Sequence, residues 1–166
     1  MVSLEPRINL GMRQVKFLGP FEVQGLLTGL RAWLDDRNYD IEENPFKYRK
    51  SGEGFVLETK WKCYQKTTPF VKKWMNIQMR IDSIKDIEIT VGGKKIKMQH
   101  GRGLIEVTPE VEFGWQKWWE KHKTLLKWYL TYFYHHQYWG EWVDGHFYEA
   151  MDLLREIRRL LNFEVQ

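Results

Sequence analysis

Across residues 39–113 the hydrophobic pattern repeats every two positions, and this stretch constrains the fold more than any other part of the chain. Successive side chains of a strand point to opposite faces, so a period of two kept up for so long reads as sheet. The alternation is sharpest where Met75, Ile77, Met79 and Ile81 interleave with Trp74, Asn76, Gln78, Arg80 and Asp82. That pattern makes one apolar face to be covered and one polar face to meet water. The groups KSGEG, KTTPF, SIK, GG and GRG punctuate it into strands over 39–49, 55–65, 71–82, 86–91, 94–100 and 104–113. Connections this short join neighbours as antiparallel hairpins, and Val91-Gly92-Gly93-Lys94 is the clearest two-residue turn.

Helical periods flank the sheet. Residues 13–18 (RQVKFL) read as a first strand closed by Gly19 and Pro20, a proline suited to a helix's first turn. Val23, Leu26, Leu27, Leu30, Trp33 and Leu34 then fall on one narrow stripe, and Asn38 suits a left-handed helix end. Opposite the stripe, Gly25, Gly29 and Ala32 permit close backbone approach by the terminal helix or a second subunit. From Trp115 the period returns to 3.6. Trp115, Trp118, Trp119, His122, Leu125, Leu126, Tyr129, Leu130 and Phe133 share a broad face, which places His122 in the core as a neutral histidine. Residues 140–145 interrupt this helix, and Phe147, Ala150, Met151, Leu154, Ile157 and Leu161 mark a last one. The expectation is a single α+β domain over residues 1–166, with 1–11 a flexible lead-in. An antiparallel sheet of six to seven strands packs against an N-terminal helix and a long aromatic-rich C-terminal helix, followed by a final helix.

At 166 residues and 43% hydrophobic content one core is expected. Aromatic residues make up 16%, and since each buried ring removes roughly 150–250 Å² from water they can fill a thick core or line an apolar pocket. Residues 128–142 (WYLTYFYHHQYWGEW) concentrate eight of these rings. The longest uncharged run there, 128–140, has 13 residues, short of the roughly 20 a membrane-spanning helix needs, so no transmembrane span is expected. The single cysteine, Cys63, lies in a strand pattern and reads as a buried thiol, and residues 1–11 lack the apolar stretch of a signal peptide. A cytoplasmic location is the expectation. The formal charge of +4 hides a segregation: −2 over residues 1–46, +9 over 47–103 and −3 over 104–166.

Few residues suggest chemistry. No nucleophile elbow, glycine-rich phosphate loop or paired cysteine is present, and Glu106, Glu110 and Glu112 sit at alternate strand positions where a solvent-facing row is the default. His135, His136 and His146 lack the spacing of a metal signature, so neither a metal nor another cofactor is expected. Trp128 stands apart. On a helical wheel it falls opposite the apolar stripe, beside Lys117 and Lys121, where it can stack on their cations, lie under the final helix or meet a partner. Lysines such as Lys95 and Lys97 alternate with apolar residues on the basic strands, and with exposed rings such as Trp74 they could also follow a phosphate backbone.

The order strand, helix, antiparallel strands, long helix resembles the helix-grip topology of the START and polyketide-cyclase-like superfamily, over about residues 13–139. Leu30, Trp33, Tyr39, Glu58, Trp61 and Lys97-Met98 also prompt a comparison with small archaeal proteins of unassigned function. The chain departs from the superfamily in having one full helix between its first two strands and an added terminal helix. The helix-grip resemblance implies a cavity for an apolar small molecule, walled by Trp61, Met75, Ile77 and Met79 with Trp118, His122, Leu125 and Tyr129. The leading expectation is a non-enzymatic binding protein that meets a protein partner or anionic surface through Trp128, Lys117, Lys121, Trp74, Lys95 and Lys97. The carrier and a single-stranded nucleic acid binder are the alternatives, and a homo-oligomer is possible.

Overall fold

A computed structural model describes residues 4–44 and 46–161. Among them, seven strands form one antiparallel sheet: β1 (Arg7–Asn9), β2 (Arg13–Phe21), β3 (Asp40–Glu43), β4 (Lys47–Ser51), β5 (Gly54–Lys66), β6 (Val71–Val91) and β7 (Lys94–Phe113). The long β6–β7 hairpin is its centre. β5 lies beside β6, β1 and β2 share the outer edge of β7, and β3 and β4 share the outer edge of β5. The helices are α1 (Val23–Asp36), α2 (Lys117–Glu120), α3 (Lys123–Tyr132) and α4 (Asp144–Leu160), with a π-helical segment, Gln137–Val143, leading into α4. This is the expected α+β architecture with a long C-terminal helix and an aromatic cluster.

Over residues 57–63, 71–81 and 103–113, odd-numbered side chains of β5, β6 and β7 point inward. Met75, Ile77, Met79, Ile81, Leu57, Ile105 and Val107 are buried beneath Leu26, Leu30 and Leu34 of α1 and Leu153, Leu154 and Ile157 of α4. A second cluster at the other end joins Val71, Val111 and Phe113 to Leu126, Leu130, Tyr138 and Val143. Full burial of one such aliphatic side chain stabilises by roughly 1.5–3 kcal/mol, so these two clusters hold the helices. Gly29 of α1 meets Leu160 of α4, whose methyl groups occupy the space a Cβ would need. Of the small residues of α1, Gly29 is thus the one against the terminal helix, while Gly25 meets Glu22 and Ala32 is exposed. Asn38 ends α1 with φ 59°, in the left-handed conformation its side chain tolerates.

Several boundaries differ from the sequence reading. Gly92 and Gly93 form the expected turn with φ of 56° and 78°, but SIK and GRG do not divide strands. At SIK the ladder slips one residue between Asp82 and Lys85, with Ser83 at φ 57°, and β6 runs on through this bulge. At GRG, Gly101 and Gly103 lie inside β7. Phe17 pairs directly with Gly103, and its ring fills the place of the missing side chain. Gly19 and Pro20 do not end β2, which continues to Phe21 along the sheet edge, where a proline is tolerated. The expected strand over 39–49 is two strands, β3 and β4. Arg7–Asn9, within the expected flexible lead-in, pair with Glu110–Glu112, and Leu4 is buried. Residues 1–3 lie outside the described residues.

The C-terminal third departs further. The helix expected from Trp115 is broken at His122, whose φ of −124° and ψ of 47° leave the helical region, and ends at Phe133. Residues 140–145 interrupt nothing. There the Asp144 N–H bonds the Trp139 carbonyl, five residues back. That wider π turn brings Tyr138 and Val143, also five apart, into the same core cluster.

The Phe17 ring over Gly103 makes a sharp test. Gly103→Ala is expected to cost about 1–3 kcal/mol in urea unfolding, because the buried ring already occupies the space of the added methyl. Adding Phe17→Leu should recover part of that loss.

Candidate interaction surface

Phe70, in the β5–β6 connection, is the hub that fastens α2 and α3 to the sheet. Its ring lies 5.1–6.1 Å from those of Phe113, Trp119, Tyr129 and Tyr134, mostly edge to face. Thr68 anchors the same corner: its Oγ accepts from the Phe70 and Val71 N–H groups, and its carbonyl accepts from Trp115 Nε1 at 3.0 Å. Farther along, Tyr134 Oη accepts from Trp142 Nε1 at 2.8 Å.

With Leu126 and Leu130 turned inward, the opposite side of α3 faces solvent. Leu125, Trp128 and Tyr132, at i, i+3 and i+7, are 44%, 50% and 59% exposed; Phe133 is 67% and Trp118 of α2 51%. Trp128 packs on Tyr132 and, edge to face at 5.1 Å, on Phe133 rather than on Lys117 or Lys121. A shallow depression of about 540 Å³ beside it is lined by Lys121, His122, Lys123, Thr124, Leu125 and Trp128. His122 is thus exposed, its ring 4.5 Å from Trp118, which corrects its expected place in the core. The helix is broken there, and Trp119, Leu126 and Leu130 set the buried side, which leaves Trp118 and Leu125 on its exposed edge.

The other expected contact residues lie elsewhere. Trp74 sits on the sheet face away from the helices, its Nε1 donating to Glu112 at 2.8 Å, with Lys72 4.2 Å and Arg7 4.9 Å from its ring. A groove of about 410 Å³ runs beside it, lined among others by Glu42, Lys60, Lys62, Gln78 and Glu106. Cations and carboxylates therefore alternate on that face. Lys95 and Lys97 are at the far tip of the hairpin, roughly 50 Å of strand from Phe113 and the α3 end of the sheet. Of the expected lysines, Lys121 lines the depression beside Trp128, and Lys117 is exposed on α2. The expected cavity wall is not brought together. Trp61, Met75, Ile77 and Met79 are packed in the core under α1 and α4, Tyr129 is half-buried against Phe70, and Trp118, His122 and Leu125 face water.

A second polar constellation, absent from the sequence reading, lies where α4 meets β6. His146, fully buried, has Nε2 2.7 Å from the Trp74 carbonyl oxygen, an acceptor only, so Nε2 carries a proton. Lys73 Nζ donates to Glu149 at 2.8 Å, and His146 Nδ1 is 3.7 Å from the same carboxylate. The Tyr39 hydroxyl faces Glu149 without an ordinary hydrogen bond among the described residues. Burial, with that carboxylate beside it, pushes the Tyr39 phenol well above its usual range. For Glu149 burial alone would raise the carboxyl, but His146, Lys73 and Tyr39 outweigh it and hold it at about 2. The i, i+3 spacing of His146 and Glu149 was the one sequence signal for this cluster; Lys73 looked like one more lysine. Cys63 is buried nearby, and burial pushes its thiol up to about 12.

No protein-family model matches the chain, and comparison with curated proteins finds no match. Among the described residues no helix is long and apolar enough to cross a membrane, and no three His, Cys, Asp or Glu side chains gather as metal ligands do.

The Glu149 cluster sets a pH dependence. Its carboxyl lies lower in the folded chain than the ordinary 4.5, so its contribution is complete above about pH 4.5 and is lost as the pH falls toward 2. Glu149→Gln is expected to cost about 1–3 kcal/mol in urea unfolding at neutral pH and to flatten the loss of stability below pH 4.5.

Proposed function

We propose that this protein is a non-enzymatic binding protein whose contact surface is the exposed aromatic and lysine face of α2 and α3. The observation that carries this reading is the contiguity of Trp118, Leu125, Trp128, Tyr132 and Phe133, large apolar side chains left in water on one side of the domain. Scattered exposed apolar residues are normal, whereas a contiguous group ringed by polar ones marks an interaction site. The buried, protonated Cys63 supports a reducing, cytoplasmic setting. Kinship with the helix-grip proteins is part of the proposal, supported by the order of elements from β2 and α1 through the antiparallel strands to the helices that follow. The carrier has less support because its wall residues are dispersed, and nucleic acid binding because the lysines of the open sheet face are interleaved with carboxylates.

A photo-crosslinking residue in place of Trp128, in the full-length protein and whole-cell extract, should give an adduct detectable as added mass on the recovered chain. The same residue in place of Lys95 should give none. An unmodified chain at both positions would end the proposal. Trp128→Ala is expected to cost less than about 1 kcal/mol in urea unfolding, as a surface ring should. Leu130→Ala, on the buried side of the same helix, should cost about 2–5 kcal/mol.

A further inference from the structure

The identity of the partner can be read from what accompanies the rings. Four lysines, Lys117, Lys121, Lys123 and Lys127, lie in or between the two short helices α2 and α3. Within residues 117–133 the one carboxylate is Glu120, and Glu5, from the N-terminal segment, is engaged by Lys127 at 3.0 Å. The cores of protein–protein interfaces are enriched in Trp and Tyr but depleted in Lys, so lysines threaded among the rings do not suit that class of partner. A lipid headgroup layer favours both: Trp and Tyr rings settle at the boundary of headgroups and acyl chains, and lysine stems lie along apolar surface while their ammonium groups reach anionic phosphates. The relief suits a lipid layer too. Trp128 and Tyr132 project from the outer side of α3, and the depression beside Trp128 is shallow rather than a pocket shaped for a side chain. The rear of α3 is pinned by Leu126, Leu130 and the Phe70 hub, so the face is presented ready-made.

We infer that α2 and α3 form a docking face for an anionic lipid bilayer, with Leu125, Trp128, Tyr132 and Phe133 entering the headgroup boundary and the lysines binding its negative charge. The inference rests on the proposed function and names its partner. The attachment is peripheral. Its affinity comes from a few rings and about 1 kcal/mol for each lysine near the surface, so it is reversible and weakens with salt.

Full-length protein should co-sediment with vesicles of phosphatidylcholine and phosphatidylserine, and much less with phosphatidylcholine alone. Brominated acyl chains in the mixed vesicles should quench its tryptophan emission. Trp128→Ala is expected to weaken vesicle binding by about tenfold. Lys117→Gln and Lys121→Gln, which leave the rings in place, should each weaken it by about fivefold. Urea unfolding of each variant verifies that it is folded, and Leu125→Ser supplies a second apolar variant should Trp128→Ala fail that check. Equal binding to both kinds of vesicle, binding to neither, or folded variants that bind like the parent would overturn the inference. A protein adduct at position 128 with no vesicle binding would replace the lipid by a protein partner and leave the proposed function standing. No adduct and no vesicle binding would remove both.

Discussion

One face of the β6–β7 hairpin supports everything else in this molecule. Strands of 21 and 20 residues put Met75, Ile77, Met79 and Ile81 beside Ile105, Val107 and Val111 on a single side. That side is the floor for α1, α3, α4 and the π segment. Isolated helices of 10 to 17 residues, the lengths of α3, α1 and α4, are marginal in water, so their stability is borrowed from this floor. The two glycines inside β7 serve the same end by letting Phe17 and Phe21 lie across the strand and close the core at its outer edge.

The floor has a limited area, and the chain carries more large apolar side chains than the floor can cover. At the α1–α4 end the match is close: Gly29 accepts Leu160, and the one charged group carried inward by β6, Lys73, is answered by Glu149 and backed by His146 and Tyr39. At the other end Phe70 and Phe113 recruit Trp119, Tyr129, Tyr134 and Tyr138, and with those rings the inner side of α3 is fully used. Trp118, Leu125, Trp128, Tyr132 and Phe133 are the surplus left on the outside. The open sheet face differs from it, since cations and carboxylates alternate there around Trp74.

Much of the fold was legible because it depends on local periods. The alternation around Met75 and Ile77, the stripe from Val23 to Leu34, the paired glycines at 92–93 and the tolerant Asn38 each act within a few residues of themselves. What misled was punctuation. SIK and GRG have the composition of turns, yet in one place a bulge absorbs the extra residue and in the other a distant ring occupies the glycine's empty side. The surface was half legible: Trp128 was placed on the exposed side of its helix, whereas Leu125, Trp118 and His122 were assigned inward by a wheel that presumed an unbroken helix.

By itself, then, the sequence determined the class of the fold, the antiparallel succession of strands, the apolar side of the central strands and of α1, and the candidacy of Trp128, since these follow from side-chain order along one segment. Only the tertiary structure decided where ladders slip and where the C-terminal helices break. It also decided that Tyr39, Lys73, His146 and Glu149 meet, and which rings remain wet. Those outcomes turn on competition among distant segments for one limited apolar face, and no local period records who wins it.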